Sequence, residues 1–153
     1  MTRWLNDDEQ RTWRAFLTAS RLLLDTLDRE LQRDAGMPHA YYEILVRLSE
    51  ADERSLRMSE LADATLSSRS RLSHAVLRLE EAGWVRRQAC PTDRRGQVAE
   101  LTDLGFRALA DAAPGHVEGV RVHLFDPLTQ AQRRQLGEIS ETLLSNLDPN
   151  LVG

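Results

Sequence analysis

Much is missing from this chain, and each absence narrows what it can be. It has one cysteine, Cys90, in 153 residues. An internal disulfide is therefore impossible, which fits a reducing compartment. No apolar run approaches the ~20 residues of a membrane span. The opening Met-Thr-Arg-Trp-Leu-Asn-Asp-Asp-Glu lacks the basic flank, apolar stretch and small-residue cleavage site of a signal peptide. A cytoplasmic location with no membrane partner is expected. Repeats, low-complexity tracts and long linkers are absent. So are a Gly-rich phosphate loop, a nucleophile elbow and a zinc-protease motif. Glu80 and Glu81 sit on adjacent helix positions and cannot face one site. No enzyme is expected. The four histidines, His39, His74, His116 and His123, include no close i, i+4 pair of a helical zinc site. Neither a metal nor a cofactor is expected. Lysine is wholly absent, so all 20 basic residues are arginine. Arginine's planar fork suits phosphate and guanine, but so complete a bias reads as genome composition.

What is present describes one soluble domain with one core, at 41% hydrophobic and 29% charged residues. A net charge of −4 argues against indiscriminate nucleic-acid binding. Its distribution says more. Residues 1–53 carry −4, residues 54–107 carry +3 and residues 108–153 carry −3. A basic middle lies between two acidic ends.

The helical signals are clear. Asn6 caps a first helix, with Glu9 three residues on as in a capping box. Trp13, Phe16, Leu17, Leu23, Leu24, Leu27 and Leu31 recur at helical spacing, and Ala35-Gly36 ends the run. Pro38 opens a second helix with Tyr41, Ile44, Leu45 and Leu48 inward, stopping near Ala51-Asp52. A short helix from about Ser59 to Ala64 points Leu61 and Ala62 inward. Another, capped at Ser67-Ser68, carries Leu72, Val76 and Leu79 on one face and ends at Gly83. Two strands are expected over Trp84–Ala89 and Gln97–Leu101, with Pro91–Gly96 as the hairpin tip. Thr102 caps a long helix with Phe106, Leu109, Ala113, Val117, Val120 and Leu124 inward, which Pro114-Gly115 should kink and Asp126-Pro127 should break. Thr129, with Gln132 as capping-box partner, starts a last helix bearing Leu136, Ile139, Leu143 and Leu147.

Helix, helix, short helix, turn, helix, β-hairpin is the order of a winged helix-turn-helix. The fold is thus mainly α with a small β-hairpin wing. The helix after the turn must pack one face on the core and offer the other to a DNA major groove. The offered face here is Ser68, Arg69, Ser70, Arg71, Ser73, His74 and Arg78. Small hydroxyls near its start let backbone N–H groups approach phosphate, while Arg and His reach bases or phosphates. Arg78 also has Glu81 nearby as an ion-pair partner. Arg94 and Arg95 at the hairpin tip are placed to meet the adjacent minor groove. Arg86 and Arg87 either touch phosphate or face solvent. Asp93 would repel phosphate, so it reads as wing support, accepting tip backbone N–H groups or orienting Arg95.

The stretch from Met58 to Gly105 resembles the MarR family of bacterial transcription regulators. Met58-Ser59-Glu60-Leu61-Ala62 looks like the family's first helix-turn-helix helix. Arg69-Ser70-Arg71-Leu72-Ser73-His74, then Leu79-Glu80-Glu81-Ala82-Gly83-Trp84-Val85, looks like its recognition helix and the turn into the wing. Asp93-Arg94-Arg95-Gly96 with Leu101-Thr102 and Gly105 is similar to its wing signature. The outer helices match the family's layout too. The resemblance implies a single domain over residues 1–153, with a winged helix-turn-helix part at 36–102 and dimerisation helices at 1–35 and 103–153. It implies a homodimer on a near-palindromic double-stranded operator, and a repressor released by a small-molecule effector. Some relatives sense peroxide through a cysteine near the first helix. Cys90 sits in the wing without a resolving cysteine, and reads as a plain small wing residue. Trp13, His39, Tyr41 and Tyr42 are the candidate ligand-pocket residues, against the plainer reading of core tyrosines as packing. The alternative function is a protein-interaction module on a winged-helix fold without DNA binding.

Overall fold

The computed structural model describes residues 1–151, except the side chain of Arg94. Helix α1 (Asp7–Ala35) opens with a reciprocal capping box: Asn6 Oδ1 accepts from the Glu9 N–H at 2.8 Å, and Glu9 Oε2 accepts from the Asn6 N–H at 2.9 Å. Asp7, Asp8 and Glu9 complement the positive end of its dipole. Gly36, in left-handed conformation, closes it. Helix α2 (His39–Glu50) follows Pro38, which stands at the cap position, one place before the helix proper. Asp28 on α1 accepts from the His39 N–H at 2.8 Å and so caps α2 from a neighbouring helix. Tyr42, not Tyr41, is the buried tyrosine of α2. Both positions flank the Ile44, Leu45, Leu48 stripe at helical spacing, so periodicity alone does not separate them.

A short turn at Asp52–Arg54 holds Glu53 and Arg54 in left-handed backbone, with the Arg54 guanidinium 4.0 Å above the Phe106 ring. It feeds a strand that the sequence pattern had not shown, β1 (Ser55–Arg57). Three residues are too few to display alternation. Helix α3 (Met58–Ala64) buries Leu61 and Ala62. It ends in a Schellman motif: the Ser67 N–H reaches Ala62 O at 2.9 Å, and the Leu66 N–H reaches Asp63 O at 3.2 Å. Leu66, at the position glycine favours, takes φ 51°. Helix α4 (Arg69–Glu81) starts at the Ser68 cap and buries Leu72, Val76 and Leu79.

Gly83 turns the chain into β2 (Val85–Cys90), which pairs antiparallel with β3 (Asp93–Leu101). β1 pairs on the other edge of β3, giving the order β1-β3-β2. The hairpin turn itself is only Pro91-Thr92, tighter than the expected six-residue tip. Ala89 pairs with Gln97 but Cys90 with Asp93, so residues 94–96 form an irregular excursion within β3. Cys90 is buried.

The Thr102 hydroxyl donates to Gly83 O at 2.7 Å and accepts from the Gly105 N–H at 3.0 Å, joining the end of α4 to the start of α5 (Asp103–Val120). α5 continues as a helix through Pro114, and its winding changes to a π turn at Arg121–Phe125. Helix α6 (Gln130–Leu147) has the expected Thr129–Gln132 capping box. The chain forms two compact units, residues 1–116 and 117–153. The first holds one core, in which Met37, Leu45, Leu48, Leu61, Leu72, Val76 and Leu79 are almost fully buried. Among the described residues, no helix is long and apolar enough to cross a membrane.

Candidate nucleic-acid interface

The core anchors α4 along one side. Leu72, Val76 and Leu79, at 2% exposure or less, hold one side of the helix in the core. The opposite side is then necessarily outward, and Arg69, Ser70, Arg71, His74 and Arg78 are all exposed. Ser68 accepts from the Arg71 N–H at 3.2 Å, which fixes the first turn. Its hydroxyl also lies 3.4 Å from that of Ser70.

Facing this first turn is the hairpin. Between them lies a concavity of about 410 Å³ lined by Arg57, Arg69, Arg87 and Arg95 against a single acid, Asp93, with Ser59, Ser73 and Gln97 as neutral polar groups. The Arg69, Arg71, His74 and Arg95 side chains have no hydrogen-bond or ion-pair partner among the described residues. A guanidinium without an internal partner is available to an external anion. The concavity therefore combines positive charge, exposed hydroxyls and a helix N-terminus, a combination suited to a phosphate backbone.

Not every expected residue is both outward and unpaired. The Ser73 hydroxyl is half-buried and accepts from Arg87 Nη1 at 3.3 Å. Arg78 is paired with Glu81 at 3.1 Å. Arg86 pairs with Glu100 at 3.2 Å and Arg87 with Glu80 at 2.5 Å, so neither is simply solvated. Asp93 Oδ1 accepts from the Arg95 backbone N–H at 3.0 Å, which is contact with the tip backbone and not with the guanidinium. Arg94 lies in β3, and its side chain is outside the described residues. Sequence reasoning missed Arg57. It stands on the unforeseen strand and donates to Thr92 Oγ1 at 2.9 Å, which ties the turn of the hairpin to β1.

The four candidate pocket residues do not all come together in the described chain. Trp13 is 51% exposed and lies about 22 Å along α1 from Asp28, the residue that holds the His39 N–H. His39 and Tyr42 instead gather around His116, with ring centroids 5.4 and 4.4 Å away. Burial pushes the Tyr42 hydroxyl pKa up. Burial, then the charge of His39, holds His116 below the usual imidazole range. The cavity beside His116 is about 60 Å³, smaller than the ~150 Å³ of an apolar cavity that binds benzene. Among the described residues there is no cluster of three or more His, Cys, Asp or Glu able to hold a metal ion.

A family model described as MarR family matches residues 35–96. A crystal structure of Sco3205, a MarR family transcriptional regulator from Streptomyces coelicolor, in complex with DNA, is 55% identical. It superposes with a TM-score of 0.93 over 97% of this chain and 93% of that one. AbsC, another MarR family transcriptional regulator from Streptomyces coelicolor, is 44% identical, with a TM-score of 0.89 over 95% of this chain and 98% of its own. The transcriptional repressor MprA of Escherichia coli is 29% identical over 126 residues, 82% of this chain and 70% of that protein.

Proposed function

The chain belongs to the MarR family of transcription regulators, and from that premise we propose that it binds double-stranded DNA as a homodimer and represses transcription from a near-palindromic operator. The observation that carries this reading is the concavity between α4 and the hairpin, bordered by Arg69 and Arg95, whose charges have no internal partner among the described residues. α4 enters the major groove by its N-terminal end, where Arg71 and Ser70 reach base edges and Ser68 and Arg69 hold the backbone. Arg95 supplies minor-groove affinity from the hairpin. The similarity to Sco3205, solved with DNA, and to the transcriptional repressor MprA supports the same direction. Residues 36–102 do the binding. Residues 1–35 and 103–153 join the two copies, because α1 and α6 expose Trp13, Phe16, Leu24, Ile139, Leu143 and Leu147. The protein acts in the cytoplasm by binding and not by catalysis. A small-molecule effector releases it.

Selection of genomic fragments by the purified protein, followed by sequencing and footprinting, tests the proposal. The expected footprint has two half-sites about one helical turn, ~10 bp, apart. In Arg71→Ala, affinities for operator and scrambled duplex should converge. In Arg95→Ala both should fall together, with a shallower salt slope. Failure of the wild type to enrich any duplex, or a stable monomer on one isolated half-site, would overturn the reading.

A further inference from the structure

The recognition helix and the wing reach different parts of a duplex, so the spacing between them must match the spacing between its grooves. The structure contains a tie across that interval. Arg87, on β2, lines the concavity with its side chain 22% exposed. Its Nε donates to Glu80 Oε1 at 2.5 Å and its Nη1 to Ser73 Oγ at 3.3 Å. Ser73 and Glu80 are seven residues apart on α4, hence on one face and about 10.5 Å apart along the axis. One guanidinium fork thus grips the helix at two levels. The turn of the hairpin is held separately by Arg57 through Thr92.

We propose that Arg87 is a positioning residue for DNA binding: its fork sets the spacing of α4 and the wing, and Ser73 and Glu80 serve that tie and do not read DNA. This rests on the DNA-binding reading above. The charge of Arg87 is matched by a close carboxylate, unlike those of Arg69, Arg71 and Arg95. Lysine would keep the charge but not the two-pronged geometry.

The test uses the full-length protein and the duplex that the wild type itself selects from a genomic pool. Arg87→Met, Arg87→Lys, Ser73→Ala and Glu80→Gln are compared by affinity at several salt concentrations. Arg87→Met should weaken binding about tenfold or more, as expected for losing charge-assisted bonds, with the salt slope unchanged. A direct phosphate contact would instead make the slope shallower by about one per subunit. Glu80→Gln separates the two readings most sharply. It removes a negative charge near DNA, so a bystander carboxylate gives tighter binding, whereas loss of the tie gives weaker binding. Arg87→Lys should be intermediate, and Ser73→Ala weaker than wild type with the same salt slope. If Arg87→Met does not fold, the milder Glu80→Gln and Ser73→Ala decide the matter. Wild-type affinity or tighter binding in Glu80→Gln overturns the proposal and leaves the DNA-binding reading intact. A wild type that selects no duplex removes both.

Discussion

Helices α4 and α6 carry similar apolar stripes and meet opposite fates. On α4, Leu72, Val76 and Leu79 are at 2% exposure or less. On α6, no residue is buried, and Ile139, Leu143 and Leu147 stand at 56, 43 and 77%. α1 shows the same division within one helix: Leu27 and Leu31 are buried near its end, while Trp13, Phe16 and Leu24 are exposed before them. Amphipathic periodicity announces that a face is covered, not what covers it. The winged-helix region covers its own faces. The terminal helices leave theirs exposed; under the proposed function a second copy covers them.

The largest expected effect separates the two directly. Leu79→Ala should destabilise by about 2–5 kcal/mol, as a core truncation does, and by the same amount at any protein concentration. Leu143→Ala should lower Tm by an amount that changes with concentration, because under the proposed function assembly contributes to stability. Thermal melts over a wide dilution series check both. A concentration-independent Leu143→Ala effect would break the comparison, since α6 would then be a monomer's surface.

Two glycines sharpen it next. A Cβ on Gly105 would lie 2.1 Å from the Trp84 carbonyl oxygen and 2.8 Å from Leu101 Cδ1. The start of α5 is pressed on the backbone before β2, so Gly105→Ala should destabilise by about 1–3 kcal/mol in urea titration, the range of overpacking. A Cβ on Gly137, in α6, would meet nothing within 4 Å. Gly137→Ala should instead stabilise by about 0.5–1 kcal/mol through helix propensity. A loss there would mean that another chain lies against Gly137.

The winged-helix region is not relaxed everywhere. Leu66 holds φ 51° with its side chain 75% exposed, so no burial offsets the left-handed backbone. Leu66→Gly should raise stability by about 0.5–1 kcal/mol in the same titrations. An unchanged midpoint would show that the strain at this turn is negligible.

The fold was legible in the sequence where the signal is local. Asn6–Glu9 and Thr129–Gln132 are read as capping boxes from residue type and spacing, and both form. The face of α4 follows from Leu72, Val76 and Leu79 alone. Non-local pairing was not legible. β1 is three residues long and exists only because β3 lies beside it. For the candidate site, residue type and helix face placed Arg69, Arg71 and His74 on the outer side of α4. They could not show that Ser73 would be engaged by Arg87, fourteen residues away, because that bond depends on strand register. Exposure on a helix face is written in the sequence; a partner supplied by another element is not.

The smallest effect lies at His116, near the limit of the self-contained core along α5. Its ring is half-buried against Tyr42 and His39 of α2, and its Nδ1 is buried with no hydrogen-bond partner among the described residues. The other charged groups around it are Glu30 and Asp34 on α1 and Asp111 on α5, which line the adjoining cavity. Burial and then His39 disfavour the imidazolium more than Glu30 favours it, so the folded-state pKa lies below the ordinary 6.5. Above that value the imidazole is neutral in both folded and unfolded chains, and pH has no purchase through this residue. As pH falls below 6.5 the unfolded chain takes up the proton first. Stability then declines until the folded-state pKa is passed and levels off beneath it. His116→Phe retains a ring for Tyr42 and cannot be protonated. The Tm of wild type relative to this variant should therefore be constant well above pH 6.5 and drop as pH is lowered through that value. Histidine 39 must be left in place, since it contributes to the shift at His116. Parallel melting curves through that pH would mean that the folded protein accepts the His116 proton as readily as the unfolded one, and that the core stops short of this turn of α5.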